Sequence, residues 1–351
     1  MESNKNIPKN NDDLSNFIYD KQFNQLKTLF KDQLHNLGQI LSLEYNGIFS
    51  PVYTQQQLNL YITDHYAKKD RALSQAESFD MTDYYYSRIS EAFEKCNFPI
   101  DNIKAESKIL DVGCGFGSTT IPLLNMFPES EIIASELSIE MLHILKEKLS
   151  SSNLGKRCTL MQLNAESLDF QDNTFSLIVG AAILHHLLNP EKVFEKINRI
   201  LKPGGCAIFF EPFENGMSIM GLIYQSIIND YRFILLRKHH KQYFKSYVSC
   251  WQSMKNTDKQ DAFFHDKDDK WIFTKTYFKA IYEKYNFNAH LVYPITTSDK
   301  PFLAQAESHF SGNNINNLPK WIYEKIESYE AWFSVELKQD FLTEGVVIFK
   351  K

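Results

Sequence analysis

The sequence predicts an α/β fold in which helices cover both faces of a doubly wound, mostly parallel sheet of seven strands, with N-terminal helices before it and a helical insertion within it. Three observations carry this. From residue 107 onward short apolar runs alternate with helical stretches. The runs are continuously apolar, the pattern of strands buried on both faces. Five of the 13 glycines fall in two places, Gly113, Gly115, Gly117 and Gly204, Gly205, where the backbone is freed from the limits a β-carbon imposes.

In order along the chain, Leu26, Leu29, Phe30, Leu34, Leu37, Ile40 and Leu41 keep helical spacing on one face, which predicts an amphipathic helix over 13–43. Helices over 54–68 and 82–98 follow, the last with Asp80 or Thr82 as its cap. Next come the strand KILDVG, a helix from Ser118, EIIAS, a helix from Ser138, CTLMQL, FSLIVGA, a helix over 190–201 and CAIFFEP: five parallel strands by Pro212. Residues 213–272 break the rhythm with a Lys-rich, aromatic-rich helical stretch. TKTYFKAIYEKYNF then reads as a helix, and NAHLVYPI and EGVVIFKK as the last two strands. The expected organisation is an N-terminal segment over 1–100, a ligand-binding core over 101–212, an insertion over 213–272 and the rest of the sheet over 273–351.

With 38 basic and 43 acidic residues among 351, the formal charge of −5 excludes a strongly basic nucleic-acid binder, and 43% apolar residues suit a large buried core. The longest apolar run, 175–188, is interrupted by Ser176, His185 and His186 and is shorter than the roughly 20 residues a membrane span needs. No membrane partner is expected from it. The start, MESNKNIPKNNDD, lacks the pattern of a targeting segment, so a cytoplasmic location is expected. Five scattered cysteines, none two residues from another, read as free thiols, and no metal site is expected.

The loop after the first strand is Asp111-Val112-Gly113-Cys114-Gly115-Phe116-Gly117. Its glycines do not fall at the G-x-G-x-x-G interval of dinucleotide binders, and the Gly-Lys-Ser/Thr of a Walker loop is absent. An acidic residue followed by glycines at alternate positions resembles the first motif of the class I, Rossmann-like S-adenosylmethionine-dependent methyltransferases. Further likenesses follow in order: Glu136 ending the second strand, Asn164-Ala165-Glu166 after the third, and the run FSLIVGAAILHHLLNPEKVFEKINRILKPGGCAIFFEP with its Leu-His-His loop and Lys-Pro-Gly-Gly turn. Asn164 stands where the family usually has Asp; its carbonyl is still an acceptor, though an uncharged one.

The resemblance covers residues 107–212 and implies S-adenosyl-L-methionine as cofactor. Its binding residues would be Asp111, Gly113, Cys114, Gly115, Gly117, Glu136, Leu137, Asn164, Ala165, Glu166 and Gly180, joined by Tyr84 from the N-terminal Tyr84-Tyr85-Tyr86 run. Glu136 would accept from both ribose hydroxyls. His185, His186 and Glu211, at the strand ends where ligands of open α/β sheets bind, are the catalytic candidates, with loop capping for the histidines and an ion pair for Glu211 as the structural alternatives. The family further implies that the N-terminal helices and 213–272 cover the active site. The expected function is methyl transfer to oxygen or nitrogen of a small-molecule acceptor. An RNA or protein methyltransferase and a non-catalytic cofactor-binding subunit are the alternatives. The basic cluster 237–245 reads as a solvated helix face, and a homodimer is left open.

Overall fold

The computed structural model describes residues 29–30, 47–50, 73, 81–254, 264, 267–295, 298–341 and 343–351. The helices expected over 13–43 and 54–68 lie outside the described residues. Seven strands form one sheet in the order β3-β2-β1-β4-β5-β7-β6: β1 (Lys108–Val112), β2 (Glu131–Glu136), β3 (Cys158–Gln162), β4 (Phe175–Ala181), β5 (Leu201–Pro212), β6 (Ala289–Pro294) and β7 (Glu344–Lys350). The first five pair in parallel, whereas β7 runs antiparallel between β5 and β6.

Alternate residues of each strand enter opposite cores, which is why the strands read as unbroken apolar runs. Ile109, Ile132, Leu177, Val179, Ile208 and Ile348 pack beneath α1 (Thr82–Lys95), α2 (Thr120–Met126) and α3 (Ile139–Ser150). Leu110, Ile133, Ile178, Phe209, Val347 and Phe349 face the other side, toward α4 (Glu191–Ile200). The Ser138 hydroxyl caps α3 by accepting from Met141 N, as its position before an apolar periodic run predicts. Met81 is the N-cap of α1 and supplies no side-chain bond, so Thr82, the first helical residue, is not the cap; Asp80 lies outside the described residues. α2 begins two residues later than expected because the Thr119 and Thr120 hydroxyls turn inward to Asp111. At Lys202-Pro203-Gly204-Gly205 the β4–β5 register jumps from Phe175↔Leu201 to Leu177↔Cys206, so the glycines form a bulge inside strand five and do not precede it.

The second difference is larger. Between β6 and β7 lie three helices absent from the sequence reading, α8 (Pro301–Gly312), α9 (Lys320–Glu330) and α10 (Val335–Asp340), after α7 (Lys275–Lys284). With α5 (Glu214–Ile228) and α6 (Lys238–Met254), α8 and α9 enclose a separate core that includes Met220, Tyr224, Phe244, Phe302, Phe310 and Ile322, whereas α10 lies against β6. Residues 301–330 therefore pack with the helices of the insertion. Small fragments of the N-terminal segment dock on the main body: Phe30 stacks on Phe170 with ring centroids 4.5 Å apart, and Ser50 Oγ donates to Gln162 Oε1 at 2.6 Å.

Candidate active site

A cavity of about 290 Å³ opens at the carboxyl ends of β1, β2, β3 and β4. Its floor is the glycine loop. Gly113, Gly115 and Gly117 have φ of +67°, +52° and +100°, and a β-carbon on Gly115 would meet only Met141 Sδ at 3.7 Å. Gly113, Cys114 and Gly115 line the cavity. Gly117 does not: a β-carbon there would lie 2.4 Å from Leu145 Cδ1, so this glycine lets the loop close on α3.

Glu136 stands at the wall with Leu137 beside it. Its Oε2 accepts from Gly115 N at 3.1 Å, and its Oε1 accepts from Leu137 N at 2.7 Å and Ser138 N at 2.9 Å. Burial raises its pKa and these three donors oppose the rise. A carboxylate has about four acceptor positions; Oε1 has filled both of its own, so one position remains, on Oε2, for a hydroxyl in the cavity. Asn164 and Ala165 complete this edge. The Asn164 Oδ1 accepts from Glu166 N at 2.8 Å and thereby caps its own turn. These residues fit a ligand that presents a hydroxyl to Glu136.

Several candidates sit elsewhere. Asp111 is fully buried beneath the loop, where Oδ2 accepts from Thr120 at 2.6 Å and both oxygens accept from Thr119; burial pushes its pKa up to about 7. It shapes the loop from behind. Glu166 accepts from Asn189 N at 2.9 Å and pairs with Lys192. A β-carbon on Gly180 would strike the Phe209 ring at 2.7 Å, so that residue serves packing. Of the tyrosine run, Tyr85 lines the cavity and Tyr84 packs against it edge-on, with ring centroids 5.2 Å apart.

The catalytic candidates form one network. Glu211, 2% exposed, accepts from Ile183 N at 3.1 Å and Leu184 N at 2.8 Å with Oε1, and from His185 N at 3.3 Å and His185 Nδ1 at 2.7 Å with Oε2. No lone pair is left to hold an acceptor. His185 Nε2 lies 3.4 Å from Asp269 Oδ1. Burial alone would depress this imidazolium, but Asp269 and Glu211 overcome it and hold the pKa up at about 10. His185 is thus a charged brace, and its main-chain oxygen accepts from Lys270 N and Trp271 N, which ties the 267–271 segment to the site.

His186 has the opposite character. It lines the cavity, its Nδ1 lies 2.9 Å from the Asp268 carbonyl oxygen, and burial with the neighbouring His185 charge lowers its pKa to about 3. A carbonyl accepts only, so Nδ1 carries the proton and Nε2 keeps a lone pair. The ligand atoms of His185, His186 and Asp269 lie within 4.8 Å of one another, a grouping that no spacing in the sequence signalled. The His185 ring lies between the Glu211 and Asp269 carboxylates, an ion-pair network that closes the 183–186 turn.

Met81, Ala182, Leu187, Leu188, Asp268 and Lys270 also line the cavity and were missed in the sequence. Ala182 adopts φ +52°, uncommon for a residue with a β-carbon and placed where β4 turns into the histidine loop. Lys270 is 4% exposed; its Nζ donates to Lys267 O at 2.6 Å, and burial lowers its pKa. Among the described residues, the aromatic side chains of the insertion do not line the cavity. Tyr224, Phe233 and Phe244 pack in the separate core and Tyr231 faces solvent, so packing accounts for the buried ones.

Residues 109–205 match the model of a methyltransferase domain. The chain carries a class I, S-adenosylmethionine-dependent methyltransferase domain. An uncharacterized methyltransferase of Schizosaccharomyces pombe is 33% identical over 118 residues, 32% of this chain and 42% of that protein. A ubiquinone/menaquinone biosynthesis C-methyltransferase of Pasteurella multocida is 28% identical over 159 residues, 45% of this chain and 58% of its own. The chain thus spans about half the length of the curated relatives it matches. The methyltransferase fold itself is shared with phosphoethanolamine N-methyltransferase 2 of Haemonchus contortus, solved with S-adenosyl-L-methionine, at a TM-score of 0.51 and 16% identity over 86% of this chain and 60% of that one.

Glu136→Ala is expected to weaken S-adenosylmethionine binding by about 1.5–3 kcal/mol, since a charge-assisted hydrogen bond to the ribose is lost. Titration calorimetry of the folded variant checks this; unchanged affinity would take Glu136 out of the cofactor site.

Proposed function

We propose that the chain transfers the methyl group of S-adenosylmethionine to a small-molecule acceptor bound between the glycine loop and the 267–271 segment. The observation that supports this best is the composition of the cavity wall. One side is the loop, Glu136 and Asn164; the other holds Ile183, Leu187 and Leu188 with Tyr85, His186 and Lys270 among them. The first set would hold the cofactor, through Glu136 on the ribose, Asn164 and Ala165 at the adenine end, and the loop backbone against the amino-acid part. When bound, the cofactor supplies an electrophilic methyl on a sulfonium centre.

The residues of the chain then position and shield. The apolar side chains exclude water from the acceptor and hold it for in-line attack, the main contribution a protein makes to a displacement of this kind. The Lys270 ammonium, with one proton engaged by Lys267 O, has two more for an anionic or hydrogen-bond-accepting group of the acceptor. His186 is neutral at physiological pH, but a pKa of about 3 makes it a weak base, so it accepts a hydrogen bond at Nε2 and orients the nucleophile. This favours an oxygen or nitrogen acceptor whose lone pair is already available near pH 7: a weakly basic amine or an ionised hydroxyl.

Incubating the protein with S-adenosylmethionine carrying a labelled methyl, together with metabolite, RNA or protein extract, tests the proposal. Label is expected in a low-mass product. Label confined to RNA or protein would overturn the small-molecule reading, and cofactor binding without transfer to any fraction would make the chain a non-catalytic subunit.

A further inference from the structure

The turn joining α5 to α6, Tyr231–Leu235, presents three large apolar side chains to solvent: Tyr231 is 84% exposed, Ile234 75% and Leu235 81%. The turn is rigidly built. Asp230 Oδ1 accepts from Arg232 N at 3.0 Å and Arg232 Nε at 2.9 Å, its Oδ2 accepts from Arg232 Nη2 at 2.9 Å and Lys325 Nζ at 3.0 Å, and the Arg232 guanidinium lies 4.4 Å over the Trp321 ring. Phe233 and Leu236 point inward as its buried anchors. Lys241 Nζ donates to Ile234 O at 3.2 Å and holds the tip from the other side. Folding has thus sent two of the five apolar side chains of 231–236 into the core and fixed the other three outward, although apolar residues scattered over a monomer's surface are normally single.

The charge around this tip is equally one-sided. Residues 231–254 contain Arg232, Arg237, Lys238, Lys241 and Lys245 and no acidic residue, in a chain whose net charge is −5. Lys238, Lys241 and Lys245 stand at i, i+3 and i+7 on α6 and so share one face of the helix. Arg237, Lys238 and Lys245 are exposed and make no ion pair among the described residues. Arg232 is neutralised by Asp230, and Glu324 on α9 is paired with Lys320.

We infer that the Tyr231–Leu235 turn is an interfacial anchor that seats Tyr231, Ile234 and Leu235 in an anionic lipid surface, with Arg237, Lys238 and Lys245 on the phosphate headgroups. Apolar side chains that enter the headgroup boundary beside a cationic flank are what such binding requires, and no membrane-spanning segment is involved. The expectation of no membrane partner rested on the want of such a segment, which a peripheral contact does not need. The aliphatic pair argues against nucleic acid as the occupant, since Ile and Leu offer no ring on which a base stacks. This goes beyond the methyl-transfer proposal and does not depend on it.

The full chain is sedimented with phosphatidylcholine vesicles and with vesicles containing about 30 mol% phosphatidylglycerol, at about 0.1 and about 0.5 M salt. Binding to the anionic vesicles at low salt is expected, with a loss of at least about tenfold for I234D/L235D and for R237E/K238E and a similar loss at high salt. Cofactor affinity, measured on the same proteins, is expected to stay at the wild-type value, which certifies folding and keeps this test separate from that of the proposed function. No binding to anionic vesicles would overturn the inference, as would binding that both variants retain. Self-association that I234D/L235D abolishes, with vesicles ignored, would assign the tip to a second copy and overturn it too.

Discussion

Replacing Glu211 with alanine is expected to destabilise the fold by about 3–5 kcal/mol and to disorder the 183–188 turn. Glu211 accepts three main-chain N–H groups and the His185 ring, all within the buried end of β5. Its loss leaves three donors and one imidazolium without their acceptor, and an unpaired buried group costs more than the bond it made was worth. The effect has a pH signature. The folded-state pKa of His185, about 10, exceeds its unfolded value of 6.5, so the ion pair's contribution is fully present below about 6.5 and is lost as pH rises toward 10. Asp111, raised to about 7, affects the range below that value, and the buried cysteines and tyrosines are common to both proteins. The stability gap between wild type and Glu211→Ala should therefore narrow from pH 7 to pH 10 but not close, because the three N–H groups do not titrate. Urea melts across this range measure it. A gap independent of pH would show that His185 is not held as an imidazolium.

This network also shows where sequence reasoning stops. His185, His186 and Glu211 were legible as candidates because they lie at strand ends after apolar runs. That Glu211 would spend both oxygens on the histidine turn depends on the β4–β5 register, which sets Ala181 opposite Phe210, and periodicity does not report register. The five parallel strands and the cofactor edge at Glu136 and Asn164 could be read because each is local, a short run with a residue at a fixed place on it. The helices over 301–330 could not: their partners on α5 and α6 are distant in sequence, and their apolar faces made sense only against one another. Asp268 and Lys270 reach the cavity from a polar stretch about 82 residues beyond His186, with no pattern to mark them. Tyr85 was separable from Tyr84 only by helix phase, which is uncertain when the start of the helix is uncertain.

Gly113→Ala is expected to abolish measurable cofactor binding and to cost about 2–5 kcal/mol of stability, from left-handed strain of about 1–2 kcal/mol together with overpacking of about 1–3 kcal/mol. At φ +67° an L side chain is strained whatever space surrounds it. Space is lacking as well: the added β-carbon would lie 2.6 Å from Ile183 Cδ1 and Cγ1 and 2.8 Å from Ile183 Cβ. Relief cannot come from swinging a side-chain tip, because Ile183 Cβ is fixed to a backbone whose N–H is held by Glu211. The loop must therefore move away from β4 and into the cavity that it floors. Gly115→Ala is the internal comparison. Its φ of +52° carries similar strain, but its β-carbon would meet only Met141 Sδ at 3.7 Å, so stability should fall by no more than about 1–2 kcal/mol. Thermal melts and calorimetry of the two variants side by side distinguish the cases. Equal losses would mean that strain alone governs the loop, whereas a markedly larger loss at Gly113 identifies the contact with Ile183 as what couples the cofactor floor to the histidine turn.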